Sequence, residues 1–242
     1  MVIEIKELTK KFNGELVVDR LSLTIEQGEF FALLGENGAG KTTTIKMLSC
    51  LLAPTSGDAL MLGDSIVGNS LAVKKKMNLS PQETAIARNL SVKENLEFIA
   101  KIYGSSKQET KRKTEELIRK FGLEDYAGKK AKNLSGGWQR RLSIAMAMIS
   151  EPEIIFLDEP TVGLDVRARI DLWEILLKLK GDITIILTTH YLEEVEALAD
   201  RIGIMQGGQL RALGTLEDLQ ERTGLKKLQD IFIKLTEEEE RT

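Results

Sequence analysis

The chain has one cysteine, Cys50, and one histidine, His190, among its 242 residues. A single cysteine excludes an intramolecular disulfide. One cysteine and one histidine together cannot build a zinc site of the His/Cys type, which takes about four such ligands. The formal net charge is −3, which argues against a sequence-independent nucleic-acid binder, because such proteins need a basic surface.

Long apolar runs are also missing. No segment approaches the roughly 18 consecutive apolar residues of a membrane-spanning helix. Residues 1–10 alternate apolar and charged side chains and lack the basic and apolar regions of a signal peptide. We therefore expect a cytoplasmic globular protein without direct membrane insertion, which would associate with a membrane only through a partner.

The first fifty residues show the pattern of a strand-rich fold. Period-two apolar stretches at residues 2–8 and 17–25 predict strands. The apolar run 30–34 predicts a buried strand, and residues 41–51 predict a helix that includes Cys50. Later in the chain, the β-branched runs 154–157 and 183–188 predict parallel strands.

A helix predicted at residues 166–179 joins the last two strands, so that they form a βαβ unit. Gly207 and Gly208 lie between two further apolar runs and predict a hairpin. We thus expect one α/β domain over residues 1–242, with a core formed by 1–82 and 151–220.

The middle of the chain, residues 83–150, is predicted to be a helical insertion. Ser91 to Glu94 form a capping-box pattern that begins a helix ending near residue 102. A charged helix is predicted at 107–121, and Ser135 is predicted to cap a third helix at 136–149. Residues 221–242 are predicted to hold a C-terminal helix and an acidic tail, 237–240.

A glycine-rich segment follows the predicted strand 30–34 and opens the next helix. It fits the phosphate-loop pattern in full and comprises Gly35, Glu36, Asn37, Gly38, Ala39, Gly40, Lys41 and Thr42, followed by Thr43. Glycines let backbone N–H groups turn toward phosphates, and the helix N-terminus adds partial positive charge. Lys41 is predicted to reach the terminal phosphates and Thr42 to ligate Mg²⁺. An ordinary glycine-rich turn is the alternative, and the glycine order disfavours a dinucleotide-binding loop.

Two acids, Asp158 and Glu159, end the strand predicted at 154–157. Strand ends in open α/β sheets face the ligand crevice. Asp158 is predicted to hold Mg²⁺ through a water, and Glu159 to act as the general base toward an attacking water. Taken alone such a pair is an ordinary solvated strand end, but the phosphate loop upstream favours catalysis.

Further features follow in a fixed order and are weak singly. They are Phe12, Gln82 after a short strand, the segment 134–137 (Leu-Ser-Gly-Gly), Asp165 after Gly163, and His190 at a strand end. In this order they make residues 3–219 resemble the nucleotide-binding domain of the ATP-binding cassette (ABC) superfamily. The resemblance implies a P-loop NTPase core of α/β class, with an antiparallel β subdomain and an inserted helical subdomain.

The resemblance also implies roles for individual residues. Phe12 would stack on adenine with Val18 nearby, and Gln82 would contact Mg²⁺ or the attacking water and report to a membrane subunit. The segment 134–137, the signature segment, would bind the γ-phosphate of an ATP held by a second nucleotide-binding subunit, in a homo- or heterodimer. The further residues assigned by the resemblance are Ser135, Gly136 and Gly137 on that phosphate, Asp165 across the interface, and His190 on the γ-phosphate. The sequence departs from the family pattern at Trp138, where a glutamine is usual, and Trp138 could border the interface or cover its own helical subdomain.

The segment 188–196 is similar to bacterial drug- and antibiotic-exporter ATPases. We therefore predict an ATPase, with ATP and Mg²⁺ as cofactors, that powers export by a separate transmembrane permease subunit. A soluble ABC ATPase acting on DNA, ribosomes or cofactor assembly is the first alternative, disfavoured by the single cassette and the absence of a long coiled coil. A nucleotide-dependent interaction protein without turnover is the second, disfavoured because Glu159 and Lys41 are both present.

Overall fold

A computed structural model describes residues 1–237 of the chain. The strands of these residues are β1 Ile3–Phe12, β2 Glu15–Ile25, β3 Phe30–Gly35, β4 Ser56–Met61, β5 Asp64–Ser65, β6 Met77–Ser80, β7 Ile154–Asp158, β8 Thr184–Thr189, β9 Arg201–Gln206 and β10 Gln209–Gly214. The α-helices are α1 Lys41–Leu48, α2 Ser70–Lys76, α3 Val92–Ile102, α4 Lys107–Lys120, α5 Gly136–Met148, α6 Val166–Leu177, α7 Leu192–Leu198, α8 Leu216–Thr223 and α9 Leu228–Glu237. No helix within residues 1–237 is both long and apolar enough to cross a membrane.

Six strands form the larger sheet, in the order β10-β9-β3-β8-β7-β6. All neighbouring pairs are parallel except β9 and β10, which form the hairpin predicted at Gly207-Gly208. Leu34 of β3 lies opposite Thr189, and Asp158 of β7 lies opposite Thr188. The carboxyl ends of β3, β8 and β7 therefore meet side by side at one edge of the sheet, where α/β proteins bind ligands.

The central strand β3 is buried along its whole length, which explains its unbroken apolar sequence. Phe30 packs with the helices of the insertion, whereas Phe31 and Leu33 pack with the smaller sheet and α1. Leu34 joins a third cluster with α7, α8 and α9. Cores on both faces thus fix the strand that leads into the phosphate loop.

The smaller sheet is antiparallel, in the order β2-β1-β4-β5. Its strand β2 lies against the phosphate loop. A Cβ added to Gly40 would come within 2.6 Å of the Val17 carbonyl oxygen, and Gly40 has φ 98°. Only glycine fits both the space and the backbone conformation, so this contact fixes the distance between the loop and β2.

The segment between β6 and β7 contains α3, α4 and α5, with two short 3₁₀ turns and one isolated bridge between Ser91 and Lys130. The capping box at Ser91 is present, since Glu94 N–H donates to the Ser91 hydroxyl and the Glu94 carboxylate accepts from Ser91 N–H. Asn95 is fully buried and bonds to Ala87 N–H and to the carbonyls of Ala87, Leu90 and Ser91. These hydrogen bonds hold the loop that follows Gln82 against α3.

Some boundaries differ from the predictions. Helix α1 ends at Leu48, and the placement of Cys50 on a helix was wrong, since Cys50 has φ 55°. The chain turns there because the amides of Leu51 and Leu52 both donate to the Lys46 carbonyl. Strands β1 and β2 are longer than predicted, α6 ends two residues earlier, and β4, α2, α7 and α8 were not predicted. Of the predicted acidic tail, residues 238–240 lie outside the described residues.

Candidate functional site

A cavity of about 500 Å³ lies at the sheet edge where β3, β7 and β8 end. It brings together ten of the predicted site residues, namely Asn37, Gly38, Ala39, Gly40, Lys41, Thr42, Thr43, Gln82, Glu159 and His190. Val17, Val162 and Tyr191 also line it, although sequence reasoning did not single them out. Residues from the loop, β6, β7 and β8 thus face one space large enough for a nucleotide-sized ligand.

Lys41 is held at the base of the phosphate loop. Its side chain is only 5% exposed, and Nζ donates to the carbonyl oxygens of Gly35 at 2.7 Å and Glu36 at 3.0 Å. The same atom lies 3.2 Å from Oε1 of Glu159. The ammonium group is therefore oriented by the loop itself and borders the cavity, where it can pair with an anion.

Asp158 accepts two hydroxyl hydrogen bonds through one oxygen. Thr42 Oγ1 donates to Oδ1 of Asp158 at 2.9 Å, and Thr188 Oγ1 donates to the same atom at 2.6 Å. A hydroxyl and a carboxylate in contact beside a phosphate loop are hard oxygen donors of the kind that Mg²⁺ prefers. Thr42 and Asp158 therefore fit a Mg²⁺ site, and Gln82 lines the 500 Å³ cavity together with Thr42.

Glu159 lies between a cation and an imidazole. Its Oε2 is 2.8 Å from Nδ1 of His190, and its Oε1 is 3.2 Å from Lys41 Nζ. Its backbone has φ 47°, and its N–H donates to both the carbonyl and the hydroxyl oxygen of Thr188. The left-handed conformation costs about 1–2 kcal/mol, and the bonds to Thr188 stabilise it. The carboxylate is thereby fixed at the cavity wall, where it can accept a proton from water.

The signature segment lies on a different, smaller cavity of about 190 Å³. Ser135, Gly137 and Asp165 line it together with Trp138, and it shares no lining residue with the larger cavity. Ser135 is the N-cap of α5, but its hydroxyl makes no capping hydrogen bond. Asp165 caps α6, because its side chain accepts from Ala168 N–H at 2.9 Å.

Gly137 brings α5 and α6 close together. A Cβ at Gly137 would lie 2.9 Å from the Cβ of Ala168, so a larger residue would push the helices apart. Trp138 stacks on Tyr126, with ring centroids 4.2 Å apart, and the Arg141 guanidinium lies 4.3 Å from its ring. Trp138 thus covers its own helical segment and also borders the signature cavity, so the two placements considered for it are compatible.

The two residues predicted to contact adenine, Phe12 and Val18, both lie outside the lining of the larger cavity. Phe12 is 43% exposed, outside the cavity lining, with Lys10 Nζ 5.1 Å from its ring centroid. Val18 is fully buried and does not line the cavity, whereas Val17 does. Alternate residues of a strand point to opposite faces. Because the Val18 side chain faces the core, the Val17 side chain faces the cavity.

Three buried polar residues near the site were missed by sequence reasoning. The Thr188 hydroxyl donates to Asp158 Oδ1 and accepts from Glu159 N–H. Arg140 is 4% exposed and donates to the carbonyl oxygens of Pro81, at 2.6 Å, and Gln82. Glu194 is fully buried and accepts from Trp173 Nε1 at 3.2 Å; burial raises the pKa of its carboxyl. The paired threonines before His190 are a visible signal for Thr188, whereas nothing in the sequence marks Arg140 and Glu194 as buried.

Residues 18–162 match the family described as ABC transporter. The chain belongs to the ABC transporter family. It is 39% identical over 237 residues to the linearmycin resistance ATP-binding protein LnrL of Bacillus subtilis (strain 168), covering 97% of this chain and 75% of that one. It is also 39% identical over 226 residues to the phospholipid-transporting ATPase ABCA3 of Homo sapiens, covering 92% of this chain and 13% of that protein.

A solved structure of a dimeric ATP-binding cassette in a post-hydrolysis state, bound to ADP and Pi, is similar to the chain with a TM-score of 0.78 and 26% identity. The similarity covers 88% of this chain and 98% of that one. The predicted family, fold class and ATPase activity are confirmed. The chain is an ATP-binding cassette ATPase that energises transport.

Proposed function

We propose that this ABC ATPase hydrolyses ATP with Mg²⁺ at the 500 Å³ cavity and powers export by a separate transmembrane permease subunit. The observation that carries the proposal is the convergence of Lys41, Asp158, Glu159 and His190 at the carboxyl ends of three adjacent parallel strands. The resistance function in the name of the relative LnrL supports the export direction. On this proposal the chain works at the cytoplasmic face of a membrane.

The chemistry assigns a role to each polar group of the cavity. Lys41 binds the terminal phosphates and offsets the charge that spreads over them in the transition state. Thr42 and Asp158 would hold Mg²⁺, with Gln82 nearby, and the ion would neutralise charge on the phosphate oxygens. Glu159 accepts the proton of the attacking water, and His190, 2.8 Å away, orients the carboxylate and contacts the γ-phosphate.

A second subunit completes the site. Within one chain the signature cavity and the phosphate-loop cavity have no lining residue in common, so Ser135 does not border its own chain's loop. The uncapped start of α5, with a hydroxyl and two glycines, is suited to an anion. We propose that Ser135, Gly136 and Gly137 bind the γ-phosphate held by a facing cassette, as the dimeric form of the similar solved structure supports. Asp165 lies beside them and Phe12 and Val17 offer apolar surface to the base.

The permease subunit is proposed to bind the outer face of α3. Phe98 and Ile102 are four residues apart and therefore share one side of this helix, where they are 50% and 62% exposed. Asn95 of the same helix fixes the loop that follows Gln82. A protein seated on these apolar side chains would therefore act on Gln82 through a short, fixed path.

Dimerisation is tested with the variant Glu159→Gln, which keeps the shape of the side chain and removes the base. Gel filtration should show a dimer with Mg-ATP and a monomer with Mg-ADP. Trp138 emission, taken as the difference between this variant and the same variant carrying Trp138→Phe, should shift with ATP only. A Trp138 signal that responds equally to ATP and ADP, or a dimer that forms without nucleotide, contradicts the proposed interface.

Permease binding is tested by co-purification with the membrane protein encoded beside this gene. Phe98→Glu should weaken co-purification strongly. Ile233→Glu, at a side chain on α9 that is exposed to a similar degree, should leave co-purification intact. Equal loss in both variants, or no binding by the unmodified chain, would reject this surface.

A further inference from the structure

The guanidinium of Arg140 is buried without a carboxylate partner. Its side chain is 4% exposed, and it donates to the main-chain oxygens of Pro81 and Gln82. Among residues 1–237, no acid lies within the 4.0 Å of an ion pair with it. Arginine stays charged in proteins, and a buried charge is costly unless it is hydrogen-bonded. The two carbonyls are therefore the local acceptors that this cation requires.

The electrostatic environment of Arg140 also connects it with residues near the site. Burial lowers the pKa of its guanidinium, and the carboxylates of Asp158 and Glu194 oppose that shift. Asp158 is the proposed Mg²⁺ ligand, and Glu194 belongs to α7, which follows His190. Arg140 thus interacts electrostatically with Asp158 and Glu194 and is bonded to the loop that carries Gln82.

The helix that carries Arg140 also carries the signature segment. Ser135 caps α5, and Arg140 is the fifth residue after it, about 7.5 Å along a continuous helix. Gly137 packs against Ala168 at the start of α6, which fixes the helix beginning. Ser143, further along α5, lies with its hydroxyl 3.2 Å from that of Ser80 at the end of β6. One rigid element therefore contacts the Gln82 loop on one side and presents Ser135 on the other.

We propose that Arg140 is a positioning residue that fixes the main chain of Gln82 to the helix beginning at Ser135, so that the Gln82 side chain and the signature segment move together. The inference rests on the proposed role of Gln82 at the Mg²⁺ site. Movement of the Gln82 main chain away from the cavity requires either the loss of both Arg140 bonds or a movement of α5. The position of Gln82 in one site is thereby linked to the position of Ser135 in the other.

Hydrogen exchange of the free protein, without nucleotide or metal, tests the anchor directly. In Arg140→Met, amides of residues 82–90 should exchange at least about tenfold faster than in the unmodified chain, because the loop loses both bonds. Arg201→Met is the matched control, since Arg201 also donates to a main-chain carbonyl, of Thr24, and to Glu29, far from this loop. It should lower the melting temperature without changing exchange at 82–90. Unchanged exchange in Arg140→Met overturns the inference.

If Arg140→Met does not fold, the same hydrogen-exchange measurement is made on Arg140→Lys. A lysine keeps the charge but has no planar fork for two carbonyls, so exchange at 82–90 should fall between the unmodified chain and full release. Exchange equal to that of the unmodified chain would show that the fork is not needed, against the proposal.

A double-mutant cycle then links the anchor to catalysis. Gln82→Ala and Arg140→Met should each raise the Mg²⁺ concentration for half-maximal turnover, and the double variant should be no worse than Gln82→Ala, because Arg140 acts through Gln82. Additive effects overturn the inference. A normal Gln82→Ala variant would instead reject the proposed role of Gln82, while the exchange result still decides whether Arg140 holds the loop.

Discussion

Replacement of Glu159 by glutamine tests the chemistry most directly, because the structure separates its catalytic effect from its structural effect. The amide has the shape of the carboxylate but cannot act as a base. The substitution also removes the negative charge that lies 3.2 Å from Lys41 Nζ. It keeps a polar atom near His190 Nδ1, which lies 2.8 Å from Glu159 Oε2 in the unmodified chain. Nucleotide binding should persist, since Lys41 and Thr42 are unchanged.

The two effects differ in size. Loss of a general base lowers turnover about 10²- to 10⁴-fold, which at about 1.36 kcal/mol per tenfold is about 3–5 kcal/mol of barrier. Loss of one partner from a buried ion pair costs about 3–5 kcal/mol when the other charge is left alone. Lys41 is not left alone, because it keeps the carbonyl oxygens of Gly35 at 2.7 Å and Glu36 at 3.0 Å. We therefore expect about 1 kcal/mol of lost folding stability, or a fall in melting temperature of about 2–4 °C.

The assay is phosphate release under single-turnover conditions, with a thermal melt of the same preparation. Glu153→Gln is the matched control, since Glu153 precedes the opposite end of β7 and is exposed; its turnover should match the unmodified chain. Phosphate release by Glu159→Gln within about threefold of the unmodified rate would refute the assignment of Glu159 as the base. A melting temperature lower by more than about 10 °C would refute the structural part of the reasoning.

Three further outcomes are expected. Lys41→Ala should abolish hydrolysis, measured as phosphate release, and unchanged turnover would reject the phosphate-loop assignment. Gly40→Ala should unfold at least about 2 kcal/mol more easily in urea than the unmodified chain, because φ is 98° and the new Cβ would lie 2.6 Å from the Val17 carbonyl, whereas Gly38→Ala, at φ 86° with open space, should lose about 1 kcal/mol. Equal losses would contradict this contact. Burial raises the pKa of Glu194 above its ordinary 4.5, so the folded state favours the protonated carboxyl and loses stability as pH rises through that raised pKa. Glu194→Gln should therefore gain melting temperature relative to the unmodified chain as the pH rises above the ordinary carboxyl pKa of 4.5, and a gain that shrinks with pH would refute the sign.

The parts of the molecule that follow local rules could be predicted from sequence. The phosphate loop needs glycine at fixed positions for its backbone, and the capping box at Ser91 uses only residues 91–94. The strands 30–35 and 154–158 are buried on both faces, so their composition alone identifies them. Both strands pair in parallel with β8, which lies between them, so their carboxyl ends lie at one edge of the sheet and Glu159 is near the loop.

Features set by distant contacts could not be predicted in this way. Strand β4 has the sequence Ser-Gly-Asp-Ala-Leu-Met, with little strand propensity, and forms because it pairs with β1. The choice of Val17 over Val18 at the cavity depends on which face of β2 packs on the core. Arg140 resembles a surface charge in the sequence, and only the fold shows that the carbonyls of the Gln82 loop surround it.

The site divides into two sets of residues that are held in different ways. Lys41, Asp158, Glu159 and His190 lie at or just after the ends of strands that are hydrogen-bonded to one another, so the sheet fixes their mutual distances. Gln82 and Ser135 adjoin the helical segment between β6 and β7, and the proposed Arg140 anchor links them to each other. On the proposal that a permease binds α3, such a partner would displace the second set without altering the first. Such a partner would change the turnover rate through Gln82 and Ser135, while the affinity of the loop for phosphate, which depends on the first set, would stay nearly constant.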